Sequence, residues 1–285
     1  MTSASSVSVV AEFLGNMLQD RPSAVLSDFD GTLSHVSPTP DAALMAPGVN
    51  EVLSELVDRA DLVGIVTGRG AADVMTKVQV SGLEYVGNHG LEWVDAAGHH
   101  VHPVGLAAET ALPGILATIR ERLAAEASLD GVIFEDKRYS ASIHFRLADD
   151  PAFVGTVLDR IVQDIAIAHG LWVSPGKMVI ELRPGERITK GTAVHRLAKD
   201  HGSKAMVFLG DDVTDTDAFL ALEDLNRESG VATCSVGVLT PDTHPLVVER
   251  SDFLLDGVEE VVAMLSLLVK RLPVHSRSGQ PQGGA

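Results

Sequence analysis

The alternation of short apolar runs with a helical period is the feature that most constrains how this chain can fold. Residues 24–26 form one apolar run, and residues 62–66 form another. Between these runs, apolar residues recur at the spacing of one helix face, at Val49, Val52, Leu53, Leu56 and Val57. A strand, a helix and a second buried strand make the repeating unit of a parallel sheet. The pattern therefore predicts an α/β fold built on a Rossmann-like parallel sheet.

Two acidic residues follow the first apolar run directly. Asp28 and Asp30 lie in the string SDFDGTL, which spans residues 27–33. The carboxyl end of a parallel strand is the edge of the sheet where ligands bind. Two carboxylates there repel each other unless a cation lies between them, and Mg²⁺ commonly bridges carboxylates to a phosphate. A solvated turn is the alternative interpretation, but the whole string favours metal-assisted phosphoryl chemistry.

Further polar groups follow the later strands in order. The second strand ends in Thr67, Gly68 and Arg69. A hydroxyl, a glycine and a cation at a strand-to-helix junction suit an anion, although a helix cap and a surface arginine would look the same. Lys190 opens a later helix, and the strand predicted over 205–209 ends in an acidic cluster: Asp211, Asp212 and Asp215. By itself, the acidic cluster could be a negative first helical turn. Together with the Asp28–Asp30 pair, Thr67 and Lys190, however, it makes four groups at successive strand or helix ends, and this order predicts one site.

Composition limits the classes of partner. The chain has 285 residues, of which 45% are hydrophobic, so it can bury one large core or two smaller ones. It carries 22 basic and 39 acidic residues, a net charge of −17, which argues against nucleic acid or an anionic membrane as a partner. No apolar run reaches eighteen residues, Cys234 is the single cysteine, and no basic leader precedes an apolar stretch. We expect a cytoplasmic monomer that acts on a small molecule.

The middle of the chain changes pattern and predicts an inserted unit. Only 38 residues lie between Asp28 and Thr67, whereas 122 lie between Thr67 and Lys190. Within the longer gap, a helix followed by two strands occurs twice, which is typical of an α+β sheet with helices on one face. We therefore predict a cap that closes over the site and excludes water. The expected division is core over 1–105, cap over 106–184, core over 185–272 and a disordered tail over 273–285.

Four motifs and the position of the cap resemble trehalose-6-phosphate phosphatases of the haloacid dehalogenase superfamily, whose cap is of the C2 type. The motifs are DFDGTL at 28–33, TGR at 67–69, KG at 190–191 and GDDVTDTDAF at 210–219. The string NHG at 88–90 and cap segments at 135–146 and 176–184 extend the resemblance to the substrate side. It covers nearly the whole chain except the two ends.

The chemistry of such a phosphatase assigns roles to these residues. An ionised Asp28 attacks phosphorus and forms an aspartyl-phosphate, and Asp30 donates a proton to the leaving sugar oxygen and later takes one from water. Thr67, Lys190 and the Gly68 N–H bind the phosphoryl oxygens. The expected Mg²⁺ site uses these residues: Asp28, the Asp30 carbonyl, Asp211, Asp212 and Asp215.

The resemblance also implies the contacts to the sugar. Polar groups of the cap and of the NHG string suit a polyhydroxylated leaving group, since they donate to and accept from hydroxyls. With Gly68 and Arg69, the expected substrate-binding residues are Asn88, His89, Glu135, Lys137, Arg146, Lys177 and Glu181. Two positions depart from the family pattern. Thr216 replaces a glutamate in the last motif, and Val179 stands where some members carry a polar sugar contact.

The leading hypothesis is Mg²⁺-dependent hydrolysis of trehalose 6-phosphate to trehalose and phosphate. A phosphatase for another sugar phosphate, such as mannosyl-3-phosphoglycerate or a pseudo-disaccharide phosphate, is the nearest alternative. A sugar-phosphate sensor without activity is an alternative from a different class. Such a sensor would be expected to lose Asp28, Asp30 or Lys190, and all three are present.

Overall fold

A computed structural model describes residues 4–37, 39–176, 178–185 and 187–274. The strands are β1 Ser23–Ser27, β2 Leu62–Val66, β3 Glu84–Gly87, β4 Glu92–Asp95, β5 Gly98–Val101, β6 Ile133–Asp136, β7 Ala141–His144, β8 Leu171–Gly176, β9 Val179–Pro184, β10 Ala205–Gly210, β11 Ala232–Leu239 and β12 Phe253–Asp256. The helices are α1 Val7–Met17, α2 Val49–Val57, α3 Ala71–Lys77, α4 Pro103–Glu109, α5 Leu112–Ala124, α6 Pro151–His169, α7 Lys190–His201, α8 Thr216–Ser229, α9 Pro245–Arg250 and α10 Gly257–Val269.

Eight strands form the larger of two sheets, in the order β12-β11-β10-β1-β2-β3-β4-β5. The strands from β12 to β3 are parallel, and the hairpin of β4 and β5 extends the sheet in the antiparallel sense. The chain moves outward from β1 through β2 and β3, and it later returns on the other side of β1 with β10. The strand order therefore reverses beside β1, which is where open α/β sheets bind ligands.

Helices cover both faces of this sheet, because each central strand is apolar on both sides. Val25 of β1 packs in a cluster with α1, α2 and α10, whereas Leu26 packs in a second cluster with α7 and α8. All five residues of β1 are buried, as are all five of β2. A strand that is buried on both faces has an unbroken run of apolar residues. This explains the apolar runs at 24–26 and 62–66.

Four antiparallel strands form the smaller sheet, in the order β6-β7-β9-β8. Alternate side chains of β7 and β9 pack against α5 and α6: Ala141, Ile143, Ile180 and Leu182. Successive strand residues face opposite sides of a sheet. The residues between them, Ser142 and Glu181, therefore lie on the face without helices, and both line a pocket against the carboxyl edge of the larger sheet.

The predicted parallel α/β sheet with an inserted α+β unit is confirmed. The sequence did not predict α4, α8, α9 or the hairpin of β4 and β5. Of the predicted tail, residues 275–285 lie outside the described residues. Among the helices of the described residues, none combines the length and the apolar character that a membrane crossing requires.

Replacement of Leu158 on α6 tests the packing of the smaller sheet. Leu158 is fully buried among α5, α6 and the sheet, so Leu158→Ala is expected to lower the free energy of unfolding by about 2–5 kcal/mol. Ile167 lies on the same helix and is 81% exposed, so Ile167→Ala is expected to change that free energy by less than about 0.5 kcal/mol. Urea denaturation of both variants measures the difference. Equal effects would contradict the described packing.

Candidate active site

A buried ammonium group between two carboxylates lies at the centre of the site. Lys190 Nζ lies 2.9 Å from Asp28 Oδ1 and 2.7 Å from Asp215 Oδ1. The three side chains are between 0% and 7% exposed. Burial alone would lower the pKa of Lys190, but the two carboxylates raise it above its usual range. Lys190 therefore remains charged.

The fold brings these groups together at strand and helix ends. Asp28 follows β1, and its N–H donates to the carbonyl of Leu209 in β10. Lys190 is the first residue of α7, which Thr189 caps through its side chain. Asp215 ends a short 3₁₀ turn after β10, and its Oδ2 accepts the N–H groups of Asp211 at 3.0 Å and Asp212 at 2.9 Å. Asp215 thus holds both Lys190 and the loop that carries Asp211.

Three carboxylates make the one candidate metal cluster found among the described residues. One oxygen each of Asp28, Asp211 and Asp215 lies within 4.8 Å of the others. Burial raises the pKa of Asp28 to about 8, although Lys190 opposes the shift. Burial and the charges of Asp215 and Asp28 raise the pKa of Asp211 well above its usual range. A divalent cation bound to these oxygens would oppose both pKa shifts, since it would compensate the negative charge of the carboxylates. This set of carboxylate donors therefore fits Mg²⁺.

Gly31 allows Asp211 to approach Asp28 closely. A Cβ at position 31 would lie 2.2 Å from Asp211 Oδ2, and the backbone φ of Gly31 is +79°. Both the space and the left-handed backbone therefore require glycine. This explains the glycine of the DFDGTL string in physical terms.

Arg69 holds the second acid of that string. Its Nε lies 2.6 Å from Asp30 Oδ2 and its Nη2 lies 2.8 Å from Asp30 Oδ1, which is a bidentate pair. Its Nη1 binds Asp73 at 2.8 Å and the carbonyl of Pro40 at 2.9 Å. Arg69 was predicted to contact substrate, and it does line the pocket. Its present partners are the protein's own Asp30 and Asp73.

Residues 67–69, which we call the TGR loop, have their backbone positioned by the loop that follows β3. The N–H of His89 donates to the Thr67 carbonyl at 2.9 Å, and the N–H of Asn88 donates to the Arg69 carbonyl at 2.7 Å. Both Asn88 and His89 have positive φ, 50° and 58°. Thr67 Oγ1 accepts the N–H of Arg69 at 3.2 Å, so its hydroxyl hydrogen can donate into the pocket.

The smaller sheet supplies the opposite wall of a cavity of about 270 Å³. Of the predicted substrate residues, these line it: Gly68, Arg69, His89, Glu135, Lys137, Arg146 and Glu181. Glu135 Oε2 pairs with His144 Nε2 at 2.8 Å, and Glu181 Oε1 pairs with Lys137 Nζ at 2.9 Å. All four predicted phosphoryl residues, Asp28, Asp30, Thr67 and Lys190, line the same cavity, as do Asp211 and Asp212.

Asn88 and Lys177 differ from the rest of the predicted set. Asn88 is fully buried behind the cavity wall, where its side chain binds Glu92 at 2.6 Å and also contacts Ser140 and the Lys137 carbonyl. The structure therefore does not bring the Asn88 side chain to the cavity lining. Lys177 lies outside the described residues.

Several lining residues were not predicted from the sequence, among them Ser142, His144, Ser174, Met178 and Val36. A signal for two of them was present. In β7, the apolar Ala141 and Ile143 alternate with polar residues, and an alternating strand beside a predicted site places its polar members on the face opposite the core. Ser142 and His144 could have been found in this way.

His89 links the two sheets at the base of the cavity. Its Nε2 lies 2.9 Å from Glu181 Oε2, and its Nδ1 is buried without a hydrogen-bond partner. Burial lowers the pKa of His89 to about 4, although Glu181 opposes the shift. Burial alone would raise the pKa of Glu181, but His89 and Lys137 hold it well below its usual range. At neutral pH a neutral His89 therefore donates its Nε2 hydrogen to an ionised Glu181.

Solved structures of other proteins share this fold and identify the structural class. The structure superimposes on a haloacid dehalogenase-like hydrolase from Bacteroides thetaiotaomicron with a TM-score of 0.58, at 13% identity over 87% of this chain and 98% of that chain. It superimposes on the C-terminal domain of Candida albicans trehalose-6-phosphate phosphatase with a TM-score of 0.77, at 22% identity over 95% of this chain and 98% of that one. The fold is therefore that of the haloacid dehalogenase-like hydrolases.

Sequence comparison then gives the family. Residues 26–243 match the family model described as trehalose-phosphatase, so the chain belongs to the trehalose-phosphatase family. A trehalose-phosphate phosphatase of Mycobacterium tuberculosis is 35% identical over 261 residues, which are 89% of this chain and 60% of that protein. The chain thus spans about 60% of the length of that relative. The family predicted from the motifs is confirmed.

Replacement of Gly210 tests the packing around Asp215. A Cβ at position 210 would lie 2.3 Å from the Asp215 carboxyl carbon and 2.5 Å from its Cβ. Gly210→Ala is therefore expected to lower the free energy of unfolding by about 1–3 kcal/mol. Gly114→Ala is the matched control, because a Cβ on this α5 residue meets nothing within 4 Å. Thermal melts of both variants make the comparison, and an unaffected Gly210→Ala would contradict the described geometry.

Acid sensitivity provides a test of the neutral His89. The unfolded chain takes up a proton at His89 near pH 6.5, whereas the folded protein resists protonation until about pH 4. Stability should therefore fall as the pH falls through this window. His89→Gln cannot take up that proton, so its melting temperature should fall by about 2–4 °C less than the wild type's between pH 7 and pH 5. The exposed His195, replaced by Gln, should keep the wild-type dependence, and an identical response of His89→Gln would refute the assignment.

Proposed function

We propose that this protein is a Mg²⁺-dependent phosphatase that hydrolyses trehalose 6-phosphate to trehalose and phosphate. The observation that carries the proposal is the buried Asp28–Lys190–Asp215 cluster at the floor of a cavity whose opposite wall is polar. A phosphate ester fits such a space, because its anionic end meets an ammonium group and a metal while its hydroxyls meet carboxylates and amines. The family and the name of the Mycobacterium tuberculosis relative support the choice of substrate.

The nucleophile of the proposed reaction is Asp28. Its carboxylate oxygen forms a bond to phosphorus while the bond from phosphorus to the sugar oxygen breaks, and Asp30 gives that oxygen a proton. Water then attacks phosphorus, loses a proton to Asp30 and releases Asp28 and phosphate. Arg69 keeps Asp30 oriented between these steps, since it binds both carboxylate oxygens. Asp30 must loosen this pair in order to carry the proton.

Phosphoryl oxygens have three donors in this proposal. Lys190, the hydroxyl of Thr67 and the Gly68 N–H bind them as charge redistributes. Asp28, Asp211 and the Asp30 carbonyl would hold Mg²⁺, with Asp212 and Asp215 orienting its water or Lys190. The ion would compensate the charge of the carboxylates and the phosphate. The short contacts of Asp215 favour Lys190 as its partner.

The cap of the proposal comprises residues 106–184, and the two core segments are 1–105 and 185–272. The cap would bind the hydroxyls of the sugar that carries no phosphate, through Glu135, Lys137, Arg146 and Glu181. Each of these residues lines the cavity. A closed cap would exclude water until the aspartyl-phosphate has formed.

Phosphate release from three esters tests the function. We would compare trehalose 6-phosphate, glucose 6-phosphate and mannosyl-3-phosphoglycerate, each with Mg²⁺ and with a chelator. The wild type is expected to prefer trehalose 6-phosphate and to lose activity with the chelator. Asp28→Asn should lower kcat by at least about 10³-fold, because an amide is not a competent nucleophile here. Asp58→Asn, on the surface after α2, should retain wild-type activity.

Other outcomes separate the alternatives. A preference for another ester with the same dependence on Mg²⁺ and Asp28 would keep the mechanism and change the substrate. Absence of release from all three esters, together with binding of trehalose 6-phosphate, would favour a sensor. Full activity of Asp28→Asn would contradict the proposed nucleophile.

A further inference from the structure

The three carbonyl groups of the TGR loop have different kinds of partner. The carbonyls of Thr67 and Arg69 accept backbone N–H groups of His89 and Asn88, which belong to the same sheet layer. The middle carbonyl, that of Gly68, accepts a hydrogen bond from Lys137 Nζ at 3.1 Å. Lys137 lies in the turn between β6 and β7 of the smaller sheet. The loop therefore depends on the inserted unit for one of its backbone hydrogen bonds.

Lys137 is held firmly enough to act on this carbonyl. Its N–H donates to Ser140 at 3.0 Å, and the Asn88 side chain donates to the Lys137 carbonyl at 3.3 Å. Ser140 in turn donates to Asn88 Oδ1. The Lys137 side chain is 10% exposed, and its ammonium group also binds Glu181 Oε1 at 2.9 Å. A Lys side chain that is fixed at both its backbone and its ammonium group has already lost the rotamer freedom that ordering costs.

The Gly68 carbonyl belongs to the same peptide group as the N–H of Arg69, and that N–H binds Thr67 Oγ1 at 3.2 Å. A cation on the carbonyl oxygen polarises the peptide and strengthens its N–H as a donor. It also fixes the plane of the peptide and thus the direction of the N–H. The hydroxyl hydrogen of Thr67 is then left to donate into the cavity. Lys137 and Thr67 are in this way connected through one peptide group.

We propose that Lys137 is a positioning residue for the phosphate-binding hydroxyl: it binds the Gly68 carbonyl and thereby orients Thr67 through the Gly68–Arg69 peptide. This inference rests on the proposed function, in which Thr67 binds a phosphoryl oxygen. It gives Lys137 a role beyond a contact to the sugar. The same ammonium group binds Glu181, a residue of the proposed sugar-binding wall. A shift of Glu181 would therefore move Lys137 and, through the Gly68 carbonyl, the hydroxyl that binds the phosphate.

Substrates without a second sugar distinguish the two roles. A lysine that only contacts the sugar should matter for trehalose 6-phosphate and should not matter for inorganic phosphate, which has no sugar. A lysine that orients Thr67 should matter for both. The binding of inorganic phosphate is therefore the deciding measurement, and it does not depend on turnover.

We would measure inorganic phosphate binding by titration calorimetry with Mg²⁺ for the wild type, Lys137→Met and Lys137→Arg. Lys137→Met is expected to weaken phosphate binding about 3- to 10-fold, because the hydrogen bond that fixes the Gly68–Arg69 peptide is lost. Lys137→Arg keeps a cationic donor and should recover most of that loss. Lys199→Met, which removes an exposed lysine of α7, should bind phosphate as the wild type does and controls for net charge.

Kinetics provide the second readout. For Lys137→Met, kcat/KM for glucose 6-phosphate should fall by a factor similar to the loss of phosphate affinity, with kcat affected as well as KM. An unchanged phosphate affinity, with loss confined to KM for trehalose 6-phosphate, would overturn the inference and leave Lys137 as a sugar contact. A circular dichroism melt checks that Lys137→Met is folded, and Lys137→Arg tests the inference if it is not.

Failure of the proposed function gives a different pattern. If the wild type releases phosphate from no ester but the variants follow the expected order of phosphate affinity, the positioning role stands and the proposed reaction falls. A wild type that binds no inorganic phosphate in the presence of Mg²⁺ overturns both.

Discussion

The buried ion cluster around Lys190 is the interaction on which the site depends. An ammonium group in a protein interior is costly unless carboxylates compensate it, and here Asp28 and Asp215 do so from the segments that follow two neighbouring strands, β1 and β10. The carboxylates also need the lysine, because each ionised carboxylate would be costly to bury without Lys190. Removal of any one member leaves an uncompensated charge, so the chemistry and the folding of this edge of the sheet are not separable.

The negative charge left over in this cluster explains the arrangement of its surroundings. Asp211 approaches because Gly31 leaves room for it, and its backbone is held by Asp215. The second acid of the first motif, Asp30, is instead paired with Arg69. The site therefore separates its carboxylates into two groups. The first group surrounds the Lys190 ammonium group and fits a metal ion, whereas the second, Asp30, is paired with the Arg69 guanidinium group.

The core sheet and the residues on its edge could be predicted from the sequence, because strands such as β1 and β2 are buried on both faces and end in polar motifs. The helix α8 was not predicted, although a negative first helical turn after the acidic cluster was considered, and α8 begins inside the acidic motif at Thr216. Ser142 and His144 were not predicted, although their alternation with the apolar Ala141 and Ile143 was a signal for the face of β7 on which they lie. The partners of Lys137 and Asn88 depend on how two sheets meet, and no local pattern contains that information.

In β7 and β9, side chains that face the apolar layer alternate with side chains that face the cavity, and this affects which positions can change in evolution. Alternate residues of these strands pack against α5 and α6, while the cavity is lined by residues between them, namely Ser142, His144, Val179 and Glu181. Substitutions at Ser142, Val179 or Glu181 can therefore change the shape and charge of the cavity while the apolar layer stays intact. In β1, by contrast, both faces are buried and no position is free to vary. The inserted unit can accumulate changes that the central strands cannot tolerate, so the lining of the cavity can change while the cluster of carboxylates around Lys190 stays the same.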